Sequence, residues 1–282
     1  MKRSLVFYIV TLFGLSALYA EGPAERRRIR LGAVTKAFTA VAVVQLVEAG
    51  TLWYDTPVSW WLPYELGGKL SVLESDTGDV RKVAVLTNCP TVKQVLNHTG
   101  GFPKDVCVRR GAARVRQMTS VAGGTPLAFR PGEKTLDSDI GYDVLAAAVE
   151  AAAKMPFEEY LRTKVIEPLG LTSTGFGPVR TANGMIEFPS GAAGLWTTSE
   201  DLQKFFKMLA NLGAGDNGAR ILRPESVKRY FSVSTRPAGF GGCSSALDAP
   251  EKDSEDAWFG IGDETVDCRV NWHGKQVRVL VK

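Results

Sequence analysis

The chain is poor in the residues that metal and redox chemistry use. It has two histidines, His98 and His273, and four cysteines, Cys89, Cys107, Cys243 and Cys268, none in a Cys-x-x-Cys pair. A zinc site, which takes about four such ligands, has little to work with, and neither a metal nor another cofactor is expected. Charge of one sign is also scarce. The formal net charge is +4 over 282 residues, and it falls by two if Lys2 and Arg3 leave with the N-terminus. A nucleic-acid binder carries a stronger basic bias, so no nucleic-acid partner is expected. The local run Arg26, Arg27, Arg28 and Arg30 reads as a solvated edge. The apolar run Leu5 to Leu18 falls short of the ~20 residues that cross a bilayer.

That short run has another reading. Lys2 and Arg3 precede it, Gly14, Ser16 and Ala17 lie within it, and Ala20 stands before Glu21 and Gly22. A positive start, an apolar stretch and a small residue at the end make a secretory signal. Residues 1–20 are therefore expected to be a signal peptide and 21–282 the domain, exported to the periplasm or secreted. Membrane contact would come only through the signal segment if it is retained. An oxidising compartment would let the four cysteines pair in three ways, and buried free thiols are an equal alternative. With 45% apolar residues the chain can bury a core.

The apolar pattern is mainly helical. Val34 to Glu48 has Val34, Phe38, Val41, Val44, Leu46 and Val47 on more than one face, which predicts a central buried helix ended by Gly50. Thr91 can cap a short helix to Asn97. Further helices are predicted over 140–154, 157–166, 199–209 and 224–231. Trp53, Tyr54, Trp60, Trp61 and Tyr64 lie in a loop-like stretch broken by Pro57 and Pro63. Thr77-Gly78-Asp79 reads as a turn between two strand-like runs within 70–86, and 259–261 and 277–281 are also strand-like.

Several short segments share one order with a known family. They are Leu31-Gly32-Ala33-Val34-Thr35-Lys36, Leu96-Asn97-His98-Thr99-Gly100-Gly101-Phe102-Pro103, Pro131-Gly132-Glu133, Glu167-Pro168-Leu169-Gly170-Leu171 and Gly194-Leu195-Trp196-Thr197-Thr198-Ser199-Glu200-Asp201-Leu202. Together they resemble the serine β-lactamases and penicillin-binding proteins over about residues 30–274. The resemblance implies an α+β, β-lactamase/transpeptidase-like fold. It also implies acyl transfer on β-lactams, peptidoglycan peptides or related esters, with such molecules as partners. In that family a serine and a lysine three residues on share one helix face. The lysine helps remove the serine's proton, and the serine attacks a carbonyl.

The motif positions depart from the pattern. Ala33 stands where the resemblance puts the serine, so no hydroxyl is present there. Thr35 is no replacement, since it lies about 100° around the helix from Lys36 and about 200° from Ala33. Lys36 is kept, either as a catalytic amine or as a buried lysine held by polar neighbours such as Asp137. Asp137, Ser138 and Asp139 stand where Tyr-Ser-Asn belongs. Asp137 and Asp139 are either an acid–base pair or a solvated acidic turn. His273 in Trp272-His273-Gly274-Lys275 matches the start of the family's third motif, with Lys275 in place of its glycine, or else it sits in a surface turn. His98 is expected to order its own loop.

Little strand-forming sequence lies before Ala33 or after Lys275, so the helical region is expected to be largely present and the central antiparallel sheet incomplete. The apolar helices would then lack cover, and the isolated domain is expected to be molten. An inactive homologue, a non-catalytic binding module and a hydrolase with an unusual site all fit these residues. Export itself is directly testable. N-terminal sequencing of secreted protein should begin at or within a few residues of Glu21, and full-length protein confined to the cytoplasm would refute the assignment.

Overall fold

A helix with apolar residues on every side belongs inside a protein. In the structure, a computed structural model, that helix is at the centre. Residues 28–68, 70–76, 81–104, 115–177 and 189–230 are described, with the backbone of 266–272 and 275–281. Along the chain run β1 (Ile29–Arg30), α1 (Thr35–Glu48), α2 (Pro63–Leu66), β2 (Ser71–Asp76), β3 (Arg81–Val85), α3 (Val92–Leu96) and α4 (Val115–Gly123). Then follow α5 (Asp139–Ala153), α6 (Phe157–Leu161), β4 (Gly175–Phe176), β5 (Leu195–Thr197), α7 (Ser199–Ala210), α8 (Pro224–Tyr230), β6 (Val266–Trp272) and β7 (Lys275–Val281). The fold is α+β, as the resemblance implies.

A short 3-10 turn, Gly32–Val34, leads into α1. Gly50 stops it with φ +71°, a left-handed conformation that glycine adopts without a Cβ clash. Between these ends Phe38, Val41, Ala42, Val43 and Val44 are fully buried. The α5 and α6 helices pack on α1, and Phe205 of α7 stacks on Phe38 with ring centroids 3.7 Å apart. This corrects the expectation of an uncovered helix: neighbouring helices supply the cover that was expected of a sheet.

Among the described residues the sheets are small. Antiparallel β5 lies between β1 and β4, β2 pairs with β3, and β6 pairs with β7 from Val266 opposite Val281 to Trp272 opposite Lys275. The segment before β5 is tied to the helices. Ser190 donates to the buried Asp143 of α5 at 2.7 Å, Thr39 of α1 donates to the Gly191 carbonyl at 2.6 Å, and Thr35 accepts from the Leu195 amide at 3.3 Å.

The helix start signals operate as expected at Thr91, whose hydroxyl accepts from the Gln94 amide while the Gln94 side chain accepts from the Thr91 amide. Thr198 likewise caps α7. Sequence reading missed α4, although Val115, Met118, Thr119 and Ala122 share its buried face. There α4 crosses α2 closely: a Cβ on Gly123 would lie 2.0 Å from the Glu65 carbonyl oxygen. The predicted turn at 77–79, the strand at 259–261 and the signal segment lie outside the described residues. Of the cysteines, Cys89 is a free thiol; Cys107, Cys243 and the side chain of Cys268 also lie outside the described residues.

The Phe38–Phe205 stack joins α1 to α7, so truncating it opens a cavity at the centre. Phe38→Ala should lower unfolding free energy by about 3–5 kcal/mol. Urea unfolding followed by circular dichroism checks this, and a loss below ~1 kcal/mol would mean that α1 is not packed as described.

Candidate active site

Lys36 lies in the first turn of α1 and its side chain is fully buried. Its Nζ donates to Asp137 Oδ1 and pairs with Asp139 Oδ1 at 2.9 Å. The ring of Tyr142 lies on another side, 5.7 Å from Nζ, within range of a cation–π contact. Ala33, one helical turn earlier, packs half-buried against the core.

The two carboxylates converge because of the backbone between them. Ser138 is extended, with φ −129° and ψ 113°, so its neighbours point to one side and its own side chain to the other. The Ser138 hydroxyl accepts from the Gly141 amide at 2.9 Å, capping α5, and donates to the Pro103 carbonyl at 2.8 Å. Asp139 then begins α5, where the positive end of the helix dipole suits a carboxylate. Both aspartates keep 27% of their side-chain surface exposed while Lys36 keeps none, so the ion pair reaches from the core to the surface. Each carboxylate is thus partly exposed and at the same time held to Lys36.

His98 buttresses the same segment. Its Nδ1 accepts from the Ser138 amide at 3.2 Å, which marks Nδ1 as the unprotonated nitrogen. Asp137 Oδ1 lies 3.5 Å from the same nitrogen. With Nδ1 already accepting, that approach is proximity between two acceptors and not a hydrogen bond. The Leu136 amide donates to the His98 carbonyl and the Asp139 amide to the Lys104 carbonyl, both at 3.0 Å. His98 therefore orders more than its own loop: it fixes the segment that carries both aspartates.

Tyr142 was not singled out as a site residue from the sequence. The available signal was its place three residues after Asp139, on the same face of α5. It stacks on His98 with centroids 5.1 Å apart, and its hydroxyl donates to the Leu96 carbonyl at 2.9 Å. Burial, with a smaller push from the Asp137 charge, raises its phenol far above the ordinary range. Thr35 faces β5, as its helical angle predicts. His273 lies outside the described residues.

Residues 16–262 match the family model described as Beta-lactamase. The chain belongs to the beta-lactamase family. It is 27% identical over 255 residues to an uncharacterized Mycobacterium tuberculosis (strain CDC 1551 / Oshkosh) protein, covering 78% of this chain and 63% of that protein. It is 26% identical over 200 residues to a provisionally named D-alanyl-D-alanine carboxypeptidase of Escherichia coli (strain K12), covering 55% and 46%. The chain thus spans about half to three-fifths of the length of these relatives. Among solved structures, a D-stereospecific amidohydrolase from Streptomyces sp. aligns with TM-score 0.58 and 22% identity over 74% of this chain and 66% of that one. A beta-lactamase/D-alanine carboxypeptidase from Yersinia pestis aligns with TM-score 0.56 and 20% identity over 75% and 60%. These two likenesses show the fold.

Within this beta-lactamase fold the Lys36 cluster has a measurable energetic signature. Removing one partner of a buried ion pair costs about 3–5 kcal/mol, because the other is left uncompensated. Lys36→Met should fall at the lower end, since water reaches both aspartates. Asp137→Asn should cost less, because Asp139 still neutralises the ammonium. The triple variant Lys36→Met/Asp137→Asn/Asp139→Asn should be more stable than Lys36→Met alone. Urea titrations of the three variants give the comparison, and a triple variant no better than the single one would contradict the pairing.

Proposed function

We propose that this chain is an exported beta-lactamase-family protein that binds an acyl-peptide or β-lactam ligand without being acylated by it. The observation that carries the reading is the pairing of Lys36 Nζ with Asp137 and Asp139, one turn beyond the methyl group of Ala33. Acylation needs an oxygen lone pair to attack the carbonyl and a neighbouring base to take the hydroxyl proton. Ala33, at the position the family resemblance gives to the nucleophile, offers neither proton nor lone pair. The ion-paired ammonium of Lys36 has no lone pair to accept a proton, and Tyr142 is turned away onto Leu96. The name of the Escherichia coli relative supports a peptidoglycan peptide as the ligand class.

Incubation with a fluorescent penicillin, followed by intact mass measurement, should show no covalent adduct. A stoichiometric adduct would overturn the reading, and turnover without an adduct would favour hydrolysis by Asp137 acting on water. Ala33→Ser alone should stay at background on a chromogenic cephalosporin, because the new hydroxyl still lacks a free base. Missing general acid–base help typically forfeits about 10²–10⁴-fold in rate. Ala33→Ser/Asp137→Tyr/Asp139→Asn should exceed the single variant, since it also frees Lys36.

A further inference from the structure

A second cleft lies apart from the Lys36 cluster, with a volume of about 720 Å³. That is within the ~300–1,000 Å³ range of small-molecule sites. It opens between the 57–59 turn, the base of the β2–β3 hairpin and the loop at 130–133, and neither Lys36, Asp137, Asp139 nor His98 lines it. Leu66, Leu70 and Leu86 give it an apolar side, and Ser59, Thr87 and Asn88 give it hydroxyl and amide groups. Its charged lining is Arg130 and Glu133, which cancel formally; the Arg130 backbone amide donates to Glu133 Oε2 at 3.2 Å, and the Arg130 guanidinium lies 4.0 Å from Glu74 Oε1.

The elements that build this cleft also carry aromatic rings in water. Trp60 follows Ser59 in the same turn and is 67% exposed; Tyr64, on the helix that contributes Leu66, is 82% exposed; Trp53 is 50% exposed and its ring lies 6.0 Å from that of Trp61. Each large ring left in water forgoes roughly 1.5–3 kcal/mol of burial. Three exposed aromatics within 53–64 thus concentrate unspent contact surface on the segment that lines the cleft at Pro57, Ser59 and Leu66.

We propose that this cleft and its aromatic border bind a β-linked oligosaccharide chain. A β-linked pyranose carries hydroxyls around its edge and bare C–H groups on its faces. The faces suit exposed indole and phenol rings, which combine an apolar body with a polar tip. The edges suit Ser59, Thr87 and Asn88. The cancelled charge of the lining favours a neutral ligand over an ion. A lipid surface fits less well, because those polar groups would be dehydrated without partners.

The test uses the full chain with two probes, the β-1,4-linked tetramers of glucose and of N-acetylglucosamine. Calorimetry reads affinity. Cys89, a thiol lining the cleft whose burial raises its pKa, reads occupancy through its alkylation rate, followed on its own peptide by mass spectrometry. At least one tetramer should bind and slow Cys89 alkylation. Trp60→Ala and Asn88→Ala should each weaken binding about tenfold, the equivalent of one lost stacking or hydrogen-bonding contact, with circular dichroism and melting unchanged. The tetramer that binds tells a plain glucan from an N-acetylated chain. Failure of both tetramers to bind folded protein, unchanged affinity in both variants, or capture by phosphatidylglycerol vesicles or a neutral peptide in place of sugar would overturn the proposal. Because acylation is not measured, its failure leaves the Lys36 reading untouched.

Discussion

The arrangement of the site depends on a single constraint, the burial of an ammonium group in the central helix α1. Lys36 is unfavourable there twice over. Taking its charge out of water costs several kcal/mol, and the N-terminal turn of a helix carries partial positive charge of its own. Two carboxylates on one side of an extended residue offset both effects, and one of them opens a helix whose dipole favours it. The position of the 137–139 segment is therefore an electrostatic requirement of α1.

That requirement spreads outward through directional bonds. Holding Asp137 and Asp139 toward Lys36 leaves Ser138 facing the opposite way, where Pro103, Gly141 and the His98 ring take up its polar groups. His98 in turn lies on Tyr142, and Tyr142 anchors the end of α3 through Leu96. Thr91 and Gln94, at the start of α3, line the open cleft. One short helix thus contributes to both, its start at the cleft held by a capping box and its end bonded to Tyr142.

How much of this was legible in the sequence follows the range of each interaction. Local signals read well: the uniform apolarity of α1, the cap at Thr91 and the stop at Gly50 all act within a turn or two. The resemblance to the family's short motifs singled out Ala33, Lys36, Asp137 and Asp139, with Asp137 as a candidate neighbour of Lys36. Two things were not legible. The inward aim of both aspartates rests on the backbone angles of Ser138, which composition does not reveal. The cover over α1 comes from pairs such as Phe38 and Phe205, far apart in the chain, so counting strand-forming segments misjudged it. The α4 helix was hidden by polar residues around a correctly spaced apolar face.

The departures from the family pattern are physically consistent with one another. Suppose Lys36 stood instead beside the neutral tyrosine and neutral amide that the family resemblance implies at positions 137 and 139. The buried ammonium would keep hydrogen bonds but lose any formal counter-charge. Placing Asp137 and Asp139 at those two positions supplies that counter-charge, and nearby backbone donors and His98 hold the segment that carries them. That pairing makes Lys36 a cation tying α1 to the start of α5 and to the loop before it.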